Sequence, residues 1–249
     1  MKIIHTLIIF MTMTGMDCIA QTVSGKINGH DYVDLGLPSG LKWATTDLNS
    51  SGNLFAWGET KEKDIFRFRR ECYKWSKLRP WEDVKSLFPD DYDKTTYEKQ
   101  FWYMDMDVYV PKKYVKKDKK KVLDPSDDAA IVNWKKPWRM PTAEEFQELY
   151  EGCQWEVVAN GYKGTSKKNG AVIILSNGPD GGYMDTYENE TMTFEWGFFS
   201  GSYWSASVGS EEWSAYSFLI SNSIKNSIVV GGVSQELRYR GLSIRPVCR

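Results

Sequence analysis

Histidine is almost missing from this chain. Its 249 residues contain two, His5 and His30. A zinc site built on imidazoles needs two or three such ligands, and a Ser-His-Asp or Cys-His arrangement would have to be assembled on a single ring. His30 stands in Asn28-Gly-His-Asp31, a turn between two predicted strands, where a structural or solvated role is expected. An excess of charge is lacking as well. Lys and Arg number 32 against 33 Asp and Glu, a net charge of −1, so no overall field draws the protein to nucleic acid or to anionic lipid.

Long apolar runs are confined to the N-terminus. Lys2 followed by the mostly apolar stretch from Ile3 to Met16 has the length of a signal-peptide core and is too short for a relaxed membrane span. Cys18-Ile-Ala20 offers small residues at a cleavage site, with Gln21 as the new terminus. The expected organisation is a signal peptide over 1–20 and a single exported domain over 21–249. Its address is the periplasm, the cell surface or the extracellular space, with no transmembrane segment after cleavage. A lipoprotein acylated at Cys18 is the alternative, and Asp17 directly before it is a poor fit to lipoprotein processing.

Four cysteines are present, and three follow the signal: Cys72, Cys153 and Cys248. Export favours disulfides, and an odd count leaves one thiol over. Cys153–Cys248 is the expected pair, since one residue closes a helix and the other a terminal strand. The loop it closes, roughly 95 residues, corresponds to about 4–5 kcal/mol in the chain-entropy model. A pairing through Cys72 stays open.

Aromatics, by contrast, are abundant, with 11 Trp and 14 Tyr. Residues 23–37 read as a hairpin turning at Asn28-Gly29, and Leu41–Ala44 and Asn53–Trp57 as short strands. Residues 61–121 carry many charges and aromatics without periodicity, and are expected to form a surface excursion with one or two short helices. Its end, 112–121, holds seven lysines and reads as a solvated loop. Asp124, Asp127 and Asp128 have two readings: a Ca²⁺ site, which takes six to eight oxygens, or the capped start of a helix at Asp124 with Pro125 at its first position. Thr142 and Glu145 have capping-box spacing, and Phe146, Leu149, Tyr150 and Cys153 form one apolar stripe with Gly152 as a stop. Glu144, Glu145 and Glu148 belong to that cap and to a solvated face. The last third reads as antiparallel strands at 171–175, 203–208, 213–220, 227–230 and 242–247, with a long loop from Pro179 to Gly201.

Six ordered motifs carry a resemblance: Asn28-Gly-His-Asp-Tyr-Val-Asp-Leu-Gly-Leu-Pro-Ser-Gly-Leu-Lys-Trp-Ala44, Phe55-Ala-Trp-Gly-Glu-Thr60, Leu123-Asp-Pro-Ser-Asp-Asp-Ala-Ala130, Trp138-Arg-Met-Pro-Thr142, Ser202-Tyr-Trp-Ser-Ala206 and Arg245-Pro-Val-Cys248. From about residue 25 to the C-terminus the chain resembles the Fibrobacter succinogenes major paralogous domain, a family of exported bacterial proteins. The resemblance implies an α+β, C-type lectin-like fold: a twisted antiparallel sheet, two flanking helices and long loops. Sulfatase-modifying-factor domains share that fold, and their helix start is similar to Arg139-Met-Pro-Thr142. It implies no catalytic residue. Thr45-Thr46 stands where members often have a cysteine, and 61–121 is longer and more charged than usual.

The function expected from these features is a non-catalytic, ligand-binding module for a glycan or a surface protein, with no nucleic-acid partner. Trp204, Trp213 and Tyr216 are candidate stacking residues, and Glu211, Glu212, Asn222 and Asn226 candidate hydrogen-bonding ones. Trp204 also fits the core, and strand alternation should give Trp213 and Tyr216 different exposures. In C-type lectin-like proteins diversified by retroelements the corresponding surface varies, and Ser214–Arg240 would suit that role. No cofactor is expected beyond the possible Ca²⁺. A structural component of the cell surface is the alternative. A formylglycine-generating type of oxidase, which needs a reactive cysteine pair or cysteine-bound copper, is the second.

Overall fold

A computed structural model describes residues 20–48, 54–64, 66, 72–88, 92–99, 108–176, 184–187, 190–193, 200–222 and 229–249. Residues 1–19, which hold most of the expected signal peptide, and Asn226 lie outside these. Strand outweighs helix, about 40% against 17%, and the ladders among the described residues are antiparallel, which makes the protein α+β.

The first sheet joins the two ends of the chain. Strands β1 (Gly25–Ile27), β2 (His30–Asp34), β3 (Lys42–Ala44) and β14 (Val247–Cys248) lie in the order β1-β2-β3-β14. Asn28 and Gly29 make the turn between β1 and β2, with φ of 50° and 84°, the left-handed pair that a two-residue hairpin requires. His30 stacks on Trp134 with ring centroids 3.7 Å apart and meets Trp138 edge-on. Burial lowers its pKa, and the ring is a packing element.

Beyond β3 the chain enters the charged excursion. There β4 (Ser76–Leu78) pairs with β5 (Tyr109–Pro111), and α1 (Trp81–Val84) and α2 (Lys94–Lys99) lie between them. The described part of the expected surface excursion is packed. Phe66, Tyr73, Val84, Tyr97 and Val108 are buried and share a cluster with Leu54, Ala56 and Tyr239 from outside it. Rings carry this packing, with Tyr97 5.2 Å from Trp81 and 5.6 Å from Phe88. Such contacts need neither helical nor strand periodicity, so the sequence pattern conceals them.

Helix α3 (Ala129–Trp134) starts later than expected. Its N-cap is Asp128, whose Oδ1 accepts from the Ile131 amide at 3.0 Å, while residues 124–127 form the turn before it. Helix α4 (Ala143–Gly152) has the predicted capping box. Thr142 accepts from the Glu145 amide at 3.3 Å, Glu145 accepts from the Thr142 amide at 2.8 Å, and Arg139 forks onto both Glu145 oxygens at 2.6 and 2.7 Å. Phe146 and Leu149 are fully buried among Val33, Leu35, Trp43, Tyr203 and Phe218. Gly152 is not a left-handed stop. The chain runs directly into the next strand, and a Cβ at 152 would lie 2.3 Å from Leu37.

That strand, β6 (Cys153–Val158), forms a meander with β7 (Gly161–Ser166) and β8 (Val172–Ser176). Gly161 has φ of 149°, and a Cβ there would sit 2.0 Å from the Leu175 carbonyl oxygen, so only glycine fits. A hairpin, β9 (Met184–Tyr187) and β10 (Glu190–Thr193), occupies part of the expected 179–201 loop. The last sheet is a second meander of β11 (Ser200–Val208), β12 (Ser214–Asn222) and β13 (Val229–Leu237). Helix α4 lies on it, with Phe146 stacked on Phe218 at 4.9 Å. No helix among the described residues is long and apolar enough to cross a membrane.

The expected Cys153–Cys248 disulfide is absent, and both residues are free thiols. They belong to different parts of the interior. Cys153 packs with Leu35, Leu37 and Leu149, whereas Cys248 packs with Ala44 and Trp138. Burial pushes the Cys153 thiol up to about 12 and raises Cys248 too. In thiol titration at pH 8 without reductant, neither should react in the folded protein and both should react in guanidinium. Failure of both to react after unfolding would support the disulfide instead.

Candidate functional site

Five residues, Gly209 to Trp213, close the β11–β12 hairpin. Gly209 is required by close approach, since a Cβ there would lie 2.2 Å from the Ser214 hydroxyl. Gln235 of β13 holds the loop, its Oε1 accepting from the Ser210 amide and hydroxyl at 2.7 and 3.0 Å and from the Ser214 hydroxyl at 3.0 Å.

The lysine-rich run faces this loop. It is pinned along β11 by backbone bonds from Leu123 to Ala206 and from Val208 to Lys121. The Lys116 amide donates to Glu212 at 3.0 Å. Between the two walls lies an open cleft of about 180 Å³, lined by Tyr114, Lys116, Lys119, Lys120, Ser210, Glu211, Glu212 and Arg238 among others. Pockets that enclose a small molecule run to several hundred Å³. This one suits a single ring or end group of a larger ligand.

Arg238 forms the floor and ties the walls together. Fully buried, it donates to the carbonyls of Ser214, Lys113 and Tyr114 at 2.7, 3.2 and 2.9 Å, and its guanidinium lies 4.8 Å from the Trp57 ring centroid. Desolvation lowers its pKa, and its bonded partners are carbonyls with no carboxylate among them.

Behind the lysine wall the acidic cluster is already engaged. Asp127 accepts from Tyr114 Oη at 2.6 Å, from Lys113 at 2.5 Å and from Lys74 at 3.0 Å. Asp124 takes Lys120 on both oxygens and Lys113 at 2.9 Å. These bonds hold both carboxyls below their ordinary range, Asp124 at about 2 through Lys120 and then Lys113. For Asp127, burial works upward but is outweighed by the bonds from Lys113, Tyr114 and Lys74. Asp128 is spent elsewhere, since its Oδ2 accepts from the Met140 amide at 2.9 Å while Oδ1 caps α3. The three carboxylates expected to bracket a Ca²⁺ ion therefore do not converge. Among the described residues no group of three His, Cys, Asp or Glu is arranged to hold a metal ion.

Two non-glycine residues of the cleft, Tyr114 and Lys119, are left-handed, with φ of 60° and 52°. Such conformations cost of order 1–3 kcal/mol each and cluster at functional sites. Tyr114 is held there from both ends, its carbonyl by Arg238 and its hydroxyl by Asp127.

Of the expected ligand-binding residues, Glu211 and Glu212 line the cleft. Trp213 ends the same loop and is 42% exposed. Tyr216 is half-buried in β12, so the two do differ. Trp204 is corrected to a core residue: its side chain is fully buried and its indole N–H donates to the Phe55 carbonyl at 2.8 Å. Asn222 ends β12 opposite Val229, about 30 Å along the strand from Trp213 by the usual rise per residue, and does not join the cleft. Sequence reading missed Tyr114, Lys116, Lys119, Lys120 and Arg238. The lysine run was the visible signal, and its pairing with the Asp cluster shows that it is not simply solvated. No family model matches the chain, and no match is found among the curated proteins or the solved structures.

The two bonds to Asp128 separate capping from any metal role. Asn is as good an N-cap as Asp, but Asp128→Asn keeps only the Ile131 bond and sets an amide donor against the Met140 N–H. The variant should lose about 1–3 kcal/mol in denaturant unfolding, with or without Ca²⁺. Destabilisation seen only in Ca²⁺ would point back to a metal.

Proposed function

We propose that the protein is an exported, non-catalytic ligand-binding module related to the Fibrobacter succinogenes paralogous domains, with a C-type lectin-like arrangement of the sheets and of helices α3 and α4. Its ligand is a glycan displayed at the cell surface or in the periplasm. The observation that carries this reading is the cleft between 114–120 and 208–212, whose walls are both bonded to strands and whose hairpin wall runs on directly into exposed Trp213. Polar groups on rigid loops beside an exposed aromatic fit a sugar, which offers hydroxyls on its rim and an apolar face to a ring.

A protein ligand or an assembly role is the second reading. It is favoured by Leu219 and Val230, 40% and 51% exposed on one face of adjacent strands. An oxidase of the formylglycine-generating type is disfavoured, since the Cys153 and Cys248 thiols are both buried and both held protonated.

A glycan array probed with the purified protein, in Ca²⁺ and again in EDTA, tests the first reading. Binding should occur and should persist in EDTA, because lysines already hold the Asp124 and Asp127 oxygens. Trp213→Ala should weaken it roughly tenfold. Absence of binding in both conditions would shift the function to a protein partner.

A further inference from the structure

We propose that the cleft takes an acidic sugar, with its carboxylate held by Lys116 and Lys119 above the buried guanidinium of Arg238. This rests on the glycan reading and names the ligand class.

Charge accounting points that way. Asp124 and Asp127 together meet Lys74, Lys113 and Lys120, an excess of one cation behind the wall. On the cleft side the Lys116 and Lys119 ammonium groups make no ion pair among the described residues, and Arg238 is buried with no carboxylate bonded to it. A guanidinium has five N–H donors, and three of those of Arg238 are used on carbonyls. The remaining two lack a protein partner among the described residues, at a residue that lines the cleft. An incoming carboxylate meets two lysines that make no ion pair among the described residues, and the buried charge of Arg238 beneath them adds attraction without contact.

The opposing carboxylates do not cancel this. Two glutamates, Glu211 and Glu212, stand against three cations, Lys116, Lys119 and Arg238, and Glu211 is exposed. Carboxylates on the second wall are acceptors for sugar hydroxyls. An acidic sugar presents hydroxyl donors and an anionic group on one ring, which matches a cleft with glutamates on one wall and lysines on the other. The small volume sets the scale at a single residue of a polymer.

The left-handed residues strengthen the assignment. Lys119 is one of the two unshared cations, and Tyr114 brings its carbonyl onto Arg238. Both strained positions thus shape the anion-facing side of the cleft.

Isothermal titration of the purified protein with oligomers of galacturonate, alginate and hyaluronan, each beside its methyl-esterified neutral counterpart, is the test. At least one acidic oligomer should bind tenfold or more tightly than its ester, and the preference should shrink as salt rises. Lys116→Ala with Lys119→Ala should abolish the preference. Lys117→Ala with Lys121→Ala removes the same charge from exposed positions outside the cleft and should preserve it; an equal loss in the two double variants would mean general electrostatic attraction and overturn the proposal. Thermal melts of all variants should match the parent. If every acidic oligomer binds no better than its ester, the acidic-sugar proposal fails while the glycan reading stands. If neither those oligomers nor any arrayed glycan binds, both fall.

Discussion

Two buried guanidinium groups near the C-terminus hold the parts of this protein together. Arg245 donates to Asp47 at 2.6 Å and to the Ala44 carbonyl at 3.1 Å, and its guanidinium sits 5.9 Å from the Tyr203 ring centroid. Arg238 joins the hairpin, the lysine run and Trp57. The segment between them completes the connection through backbone bonds of Leu242 with Phe55 and of Ser243 with Ser202 and Trp204. Leu48 reaches the same segment at the Ile244 carbonyl. Burying a cation is costly unless its donors are satisfied in good geometry, so each arginine fixes its neighbours as firmly as it is fixed by them. The cleft exists because its floor is one of these two ties.

The two arginines are satisfied differently, and the difference separates scaffold from site. Arg245 has a carboxylate partner, so its charge is neutralised within the fold. Arg238 has carbonyls and an aromatic face, which meet its hydrogen-bonding needs in part and leave it without a bonded carboxylate. Glu212 is close enough to raise the Arg238 pKa, yet its hydrogen bond goes to the Lys116 amide.

What could be read from sequence was local. The Asn28-Gly29 turn, the Thr142–Glu145 box and the Phe146–Leu149 stripe each follow from neighbouring residues, and each was found in the structure. The β6–β7 hairpin went unread although Asn160-Gly161 marks its turn, and the expected strands of the last third began only at 171. The helix at Asp128 was placed too early because three aspartates before an apolar run all look like caps. Only Met140, distant in sequence, selects the right one. The disulfide expectation failed because the two elements that Cys153 and Cys248 close pack in different clusters. The cleft needed two segments about a hundred residues apart, and nothing in either shows that they meet.

That meeting also explains why a lysine-rich run survives in an ordered structure. Like charges placed side by side repel, and an isolated loop of this composition would stay solvated. Here the run is divided by function. Lys113 and Lys120 turn to Asp124 and Asp127, and Lys113 lies over the rings of Trp75 and Tyr114 at 4.8 Å from each centroid. Those contacts hold the backbone in place, including its two left-handed residues. Lys116 and Lys119 are then carried into the cleft by a backbone that they do not stabilise themselves. Structural lysines anchor the wall, and the lysines freed from that task give it its charge.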